Sequence, residues 1–317
     1  MSPSTASLQP LNPYTPMAYL PPELADAHQL TAYIYIASLG VLVWDWLMSM
    51  PDEYRILSTG RISKSKIAYV SARLSTLGYC LILVMFQVAP AGNCQTMCYL
   101  VSAFVLLSSS TNNFLLFIRV RAVYGNSRSV TAFFGFWYLA VIGTTSTIPW
   151  AAEAAHLGPT KLCIYIRVET WVMLGTVCNA VNGTFVFLAI SYRVSLRSLG
   201  ETGRRSTARR FLRSDGAPRV VRDLLHQGQL CYLATIMVYI PQIFLAFSKT
   251  PGYQGLAATT VQVVENIMIS RVHRAVILGL ITDSGHDAAP FAFTTIVPTT
   301  TASSDDLMEL AAKQKLV

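Results

Sequence analysis

The chain has 317 residues, of which 53% are hydrophobic and only 13% charged, against roughly 25% charged in soluble domains. The length would accommodate two soluble domains, but the apolar excess gathers into long blocks and argues for one membrane-embedded helical bundle. A formal net charge of +8 would suggest nucleic acid in a soluble protein. Here the basic residues fall between apolar blocks, so they read as topology determinants and no nucleic-acid partner is expected.

The first 29 residues contain no Lys or Arg, are rich in Pro and lack a compact apolar core, so they read as an extracellular tail and not as a cleaved signal peptide. The first membrane helix then acts as the insertion signal. About twenty apolar residues cross a bilayer as a helix. Seven stretches meet or approach that length: 30–50, 67–89, 97–118, 130–150, 169–191, 226–247 and 254–270. Backbone groups in lipid must be satisfied within their own segment, which predicts helices, and none of these blocks alternates as a barrel strand would. The fold class is therefore all-α, a seven-helix transmembrane bundle over residues 30–281. Pro241 is expected to kink the sixth helix. The seventh stretch is the shortest and carries Glu265; without it, six helices would remain. Residues 271–281 read either as an amphipathic helix on the inner membrane surface or as a continuation of the seventh helix. The segment 282–317 turns to Ser, Thr, Asp, Ala and Pro and reads as a disordered cytoplasmic tail.

The connecting segments test the count. All but three of the 24 Lys and Arg residues fall on one side of a seven-span arrangement, the exceptions being Lys161, Arg167 and Lys249. Basic residues concentrate on cytoplasmic loops, which gives an N-terminus outside and a C-terminus in the cytoplasm. Six spans would move the C-terminal arginines outside.

Polar residues inside the spans are the candidate functional groups, because a charge at the bilayer centre costs roughly 2.5–3.5 kcal/mol even on insertion scales. Asp45 and Arg73 lie at similar depth on adjacent antiparallel helices, and Tyr69, Arg73, Thr76 and Cys80 share one helical face. An Asp45–Arg73 pair is expected. It reads as a switch or part of a polar path, or as a fixed pair setting helix register; the alternative is Arg73 snorkelling to the inner headgroups. Glu265, with Gln262 and Asn266, forms a polar patch on the seventh helix. It reads as a proton-titrating or cation-binding carboxylate, or as an acid bonded to Asn112, Asn113 or Arg119 of the third helix. The run Ser108–Asn113 wraps that third helix in polar groups, for a ligand or for interhelical hydrogen bonds. Gly175, Asn179 and Gly183 form a small-residue stripe on the fifth helix, read chiefly as packing.

Cys94, Cys98 and Cys163 all fall outside, where oxidising conditions permit a disulfide from Cys94 or Cys98 to Cys163. The 193–223 link carries nine arginines and three acids, with Arg204, Arg205, Arg209, Arg210 and Arg213 at its centre and Arg119 on the same side. It reads as a segment resting on the anionic inner leaflet, or as a docking site for a cytosolic partner. Asn182-Gly183-Thr184 matches a glycosylation sequon but lies within a helix. The histidines and cysteines show no zinc spacing, and there is no P-loop, HExxH or nucleophile elbow. Neither an enzyme nor a bound cofactor is expected.

Three blocks carry a resemblance: Trp44-Asp45-Trp46-Leu47-Met48-Ser49-Met50-Pro51-Asp52-Glu53-Tyr54, Phe117-Ile118-Arg119-Val120-Arg121-Ala122-Val123-Tyr124-Gly125, and Asn266-Ile267-Met268-Ile269-Ser270-Arg271. Together they resemble the fungal, chiefly basidiomycete, seven-helix membrane proteins with an N-terminal domain of unknown function. The first block is similar to that domain's Tyr-Asp-x-x-Leu-Thr-x-x-x-Glu pattern, with Trp44 in place of the Tyr and Ser49 in place of the Thr. The resemblance implies a fold and a fungal origin, and no established activity. A broader likeness to seven-helix receptors is architectural. Ile118-Arg119-Val120 stands where such receptors carry Asp-Arg-Tyr, the seventh helix lacks Asn-Pro-x-x-Tyr, and without a lysine there it cannot hold retinal.

The leading expectation is a receptor-like or sensor-like protein, with a small-molecule ligand in the outer half and the basic link as output. A transporter or channel using Glu265, Asn112 and Asn113 as a polar path is the alternative, and a non-signalling scaffold the third reading.

Overall fold

The computed structural model describes residues 16–58, 63–200, 219–246 and 253–283. The first 15 residues, the centre of the basic link with Arg204, Arg205, Arg209, Arg210 and Arg213, and the tail from 284 lie outside the described residues. The chain is mostly helical. Seven long helices follow in order: α1 (Pro22–Ser58), α2 (Lys64–Val88), α3 (Cys94–Val123), α4 (Arg128–Thr145), α5 (Met173–Gly200), α6 (Arg219–Ala246) and α7 (Ala258–Asp283). They form one compact unit through Gly279.

Among the described residues, five segments are long and apolar enough to cross a membrane: Pro22–Ser58, Lys64–Val88, Cys94–Val123, Arg128–Ala151 and Thr170–Arg193. They make this a multi-pass integral membrane protein. Within α6, Leu233–Ala246 is a further apolar stretch among the described residues. The low hydropathy of α7 has a physical reason. Gln262, Glu265, Asn266 and Arg274 are all buried, so these polar groups face protein, where partners offset their desolvation.

The helix starts follow local chemistry. Ser63 caps α2 by accepting from Lys66 N, and Asn93 caps α3 by accepting from Thr96 N at 3.2 Å, each satisfying one orphan amide of a first turn. α1 begins at Pro22, inside the stretch expected to be tail, and continues past the expected end at 50 to Ser58 with Pro51 inside it. Pro241 lies within α6, which runs on through it. Beyond residue 270, α7 continues without a break to Asp283, so continuation describes 271–281 and a separate surface helix does not.

The described part is not wholly α-helical. After α4 and a one-turn helix at Ile148–Ala151, β1 (Ala152–His156) and β2 (Cys163–Val168) form an antiparallel hairpin with a bulge at Glu153/Ala154. The span rule could not see it, because five- and six-residue strands lie outside the apolar core. Gly158 turns this hairpin at φ +54°.

Side chains sort by face. On α1, Leu42, Asp45 and Ser49 are buried while Val41, Trp44 and Met48 point outward, the one-sided pattern of a helix with lipid on its other side. α2 and α3 meet where Gly78 lies against Phe104: a Cβ at Gly78 would collide with the phenyl ring. Two apolar layers result. One gathers Tyr35, Leu42, Leu83, Phe86 and Val263 at the hairpin end; the other gathers Tyr69, Leu116, Val120, Phe134 and Ile190 toward the opposite end.

Candidate functional site

On α1 a polar residue recurs every fourth position: Asp45, Ser49, Glu53. That spacing aligns three acceptors on one face, and the row meets Arg73 of α2. Arg73 Nη1 donates to Asp45 Oδ2 at 2.8 Å, Nη2 to Ser49 Oγ and to Glu53 Oε1 at 2.9 Å, and Nε to Glu53 Oε1 at 3.1 Å. Tyr69, one turn before Arg73, donates to the same Glu53 oxygen at 2.9 Å. The guanidinium carbon lies 5.8 Å from the centre of the Trp46 ring, within cation–π range. Arg73 is 2% exposed. A planar fork with five N–H groups suits this divided set of acceptors; an ammonium does not.

α7 completes the cluster. Arg271 Nε donates to Asp45 Oδ1 at 3.2 Å, and Arg274 Nη1 donates to Tyr69 OH at 3.1 Å while lying 3.7 Å from Glu53. His273 stacks on Tyr69, and its Nε2 lies 3.3 Å from Ser65 Oγ. Two carboxylates thus meet three guanidiniums drawn from α2 and α7. The expected Asp45–Arg73 pair is present as geometry, and Arg73 turns into the bundle instead of reaching for headgroups. Sequence reading placed Arg271 and Arg274 only as topology residues. Their spacing of three put both on one side of α7, but nothing in the chain pointed that side at Asp45.

A second network lies deeper. Glu265 Oε2 accepts from Tyr239 OH at 2.8 Å and from Asn179 Nδ2 at 2.9 Å. Asn179 Oδ1 accepts from Asn113 Nδ2 at 2.8 Å, and Asn113 Oδ1 accepts from Asn182 Nδ2 at 2.7 Å. The expected direct partners of Glu265 on α3, including Arg119, are therefore corrected. α5 and α6 hold the carboxyl, and Asn113 acts one residue removed. Asn179 joins the network as well as the packing stripe, and Asn182 is buried in it, which removes the sequon from use.

Asn112 and Asn113 part company, since consecutive helical residues point about 100° apart. Asn112 faces α7, where its Oδ1 accepts from Asn266 Nδ2 at 2.9 Å, and Asn266 also donates to the Ala72 carbonyl at 3.1 Å. Above them Gln262 donates to Ser108 at 2.7 Å, and Ser108 pairs with Thr76 at 2.6 Å. The polar run of α3 therefore serves two interfaces, one with α2 and α7 and one with α5.

At the hairpin end, Cys94 and Cys163 form a disulfide with Cα atoms 5.4 Å apart. Cys98 is a buried free thiol whose Sγ lies 3.7 Å from the Ala152 carbonyl, so of the two expected donors it is the unused one. His156 Nδ1 lies 3.4 Å from Cys94 Sγ; with the disulfide closed, neither sulfur is a thiolate able to bind metal. Gln95 clamps the hairpin by accepting from Ala154 N at 3.0 Å, and Ala91 N donates to the Lys161 carbonyl at 2.9 Å.

These features define a polytopic helical membrane protein with a buried ion cluster near one end of the bundle and a disulfide-anchored hairpin at the other. The model of a family of unknown function (DUF6533) matches residues 33–78. That segment contains Asp45, Ser49, Glu53, Tyr69 and Arg73, so the α1–α2 half of the cluster lies inside the match and the α7 arginines lie outside it. Among curated proteins, none matches the chain.

Proposed function

We propose that the chain crosses the membrane seven times, N-terminus outside and C-terminus in the cytoplasm, and works as a receptor-like or sensor-like bundle. Its α1–α2–α7 ion cluster is the element that changes state. The orientation is supported by the 24 basic residues, all but three of which fall on one side of a seven-span arrangement, and by the Cys94–Cys163 disulfide, which an oxidising exterior would form. The motif at Asp45–Glu53 supports a fungal origin.

The observation that carries the switch is the seating of Arg271 and Arg274 on the carboxylates of α1. Toward the hairpin end, α1 also reaches α7 and the turn before it through hydrogen bonds, Ser38 with Thr260 of α7 at 3.0 Å and Tyr35 OH to the Gly255 carbonyl at 2.9 Å. Charged and hydrogen-bonded contacts of this kind can exchange partners, which suits a discrete two-state element. A small molecule in the outer half would bias α7. The 193–223 link, lying on anionic inner-leaflet lipid, would present the outcome to a cytosolic partner.

The test is a spin-label distance measurement between the cluster-side ends of α1 and α7 in the Arg271→Ala/Arg274→Ala double variant. The expected result is a longer or broader distance there, with the hairpin-side distance unchanged. Identical distributions in variant and wild type would sink the switch. Orientation is tested separately: an impermeant label applied to intact cells should fail to reach the 193–223 link.

A second reading, transport along a polar path, is favoured by Glu265. It predicts a flux in reconstituted vesicles that disappears in Glu265→Gln.

A further inference from the structure

Between Ala258 and Leu278 of α7, Arg271 is the one exposed residue. Neighbours close in the rest of that stretch, yet the residue left at the surface carries a charge. Its side chain is 57% exposed, while the carboxylate it meets, Asp45, is buried. Its Nε–H is committed to Asp45 Oδ1 at 3.2 Å. Among the described residues Asp45 is its sole ion-pair partner, which leaves the N–H groups of the terminal nitrogens for a partner outside the bundle.

The charges of the cluster do not balance. Asp45 and Glu53 face Arg73, Arg271 and Arg274, so one positive charge is in excess. Arg73 and Arg274 are buried, and the excess reaches the surface at Arg271. Asp52 does not cancel it: that residue is exposed, forms no ion pair with a described residue, and lies about 10 Å farther along α1 than Asp45.

Arg271 borders lipid. The apolar seventh stretch ends at residue 270, where hydrocarbon gives way to headgroups. On α1, Val41 and Met48 fall within about 60° of Asp45 on the helical wheel, on the flank turned away from the Ser49 and Glu53 row that meets α2. Both are more than half exposed. The fork therefore tops a seam flanked by apolar side chains. A phosphate ester fits the fork, which can meet two of its oxygens at once, and an acyl chain fits the apolar flank. A charge at this depth without a counter-ion is disfavoured.

We propose that the α1–α7 seam binds one anionic phospholipid, whose phosphate takes the outer N–H groups of Arg271 and completes the charge balance of the cluster. The site rests on the seven-span reading, which puts Arg271 at headgroup level, and needs neither the switch nor a particular orientation. Where the cluster does switch, a lipid that holds Arg271 competes for it with Asp45.

The full chain is placed in phosphatidylcholine nanodiscs with increasing fractions of phosphatidylglycerol, and the lipids retained on release from the disc are counted by native mass spectrometry. Wild type is expected to retain one phosphatidylglycerol in preference to phosphatidylcholine. Arg271→Gln should lose that preference, and Arg128→Gln, which removes the same charge from another exposed position, should keep it. Glycerol phosphate in the buffer should not displace the lipid, because it has no chain to lie along Val41 and Met48; displacement would make the ligand a soluble phosphate and overturn the lipid site. No preference in the wild type, or one that Arg271→Gln keeps, has the same consequence. Should Arg271→Gln fail to fold, Met48→Glu decides: an acid one turn from Asp45 supplies the fork with an internal counter-ion, and a lipid still retained there rules the site out. Both leaflets of the disc have one composition, so labelling of the 193–223 link in intact cells tests the seven-span reading while lipid retention tests the site.

Discussion

The two ends of the bundle are held by different chemistry. At the hairpin end a covalent bond fixes the start of α3 to β2, and Gln95 and Ala91 add hydrogen bonds to the same hairpin. At the other end α1, α2 and α7 meet through charges. A disulfide has one arrangement in an oxidising medium, whereas charged hydrogen bonds can exchange partners. The first end is therefore covalently fixed, and the second is held by non-covalent contacts alone. Buried ion pairs contribute little net stability over an apolar replacement, so keeping five charged groups there favours a role in specificity or switching over one in holding the fold.

Removing Arg73 should break the comparison most severely. Arg73→Met leaves Asp45 and Glu53 buried without their main partner, a loss of about 3–5 kcal/mol, visible as a large fall in melting temperature. Arg73→Lys should recover only part, because an ammonium cannot serve Asp45, Ser49 and Glu53 together. A full recovery by lysine would mean that charge alone matters at this position.

Cys163→Ala should come next. It opens a link between residues 69 apart in sequence, with an expected loss of about 2–4 kcal/mol, and reductant should then have no further effect. Cys98→Ala should leave the reductant response intact; if it removed that response instead, the pairing would be the other one. Gly78→Ala tests the α2–α3 contact between the two ends. Phe104 has to move for the added methyl group, and a loss of about 1–3 kcal/mol is expected, read by the same melting measurement. Arg271→Ala should be mildest, because its side chain is 57% exposed and a solvated ion pair contributes about 1 kcal/mol or less. Its effect should show in the α1–α7 distance and hardly in the melting temperature, which separates a switch from a brace.

Local rules carried much of this molecule. The apolar blocks located the helices, because lipid forces a backbone to satisfy itself within a segment. The spacing of Tyr69, Arg73, Thr76 and Cys80 placed them on one buried face, and the depth of Asp45 matched that of Arg73, so that pair was legible before any coordinates. Helix ends were less legible: α1 runs past both expected limits because helix continuation at a membrane surface depends on what the extra turns can touch, and Glu53 gives them Arg73.

What tertiary structure alone decided is which distant groups meet. Hydropathy and periodicity fix the direction of a side chain relative to its own helix and say nothing about the neighbour it finds. That is why the α3 partners considered for Glu265 give way to Asn179 and Tyr239, why Asn112 and Asn113 divide between two networks, and why Arg271 and Arg274 gave no sign of reaching Asp45 and Glu53. Helix order around a bundle is set by the sum of many weak packing contacts, and no single segment of the chain encodes it.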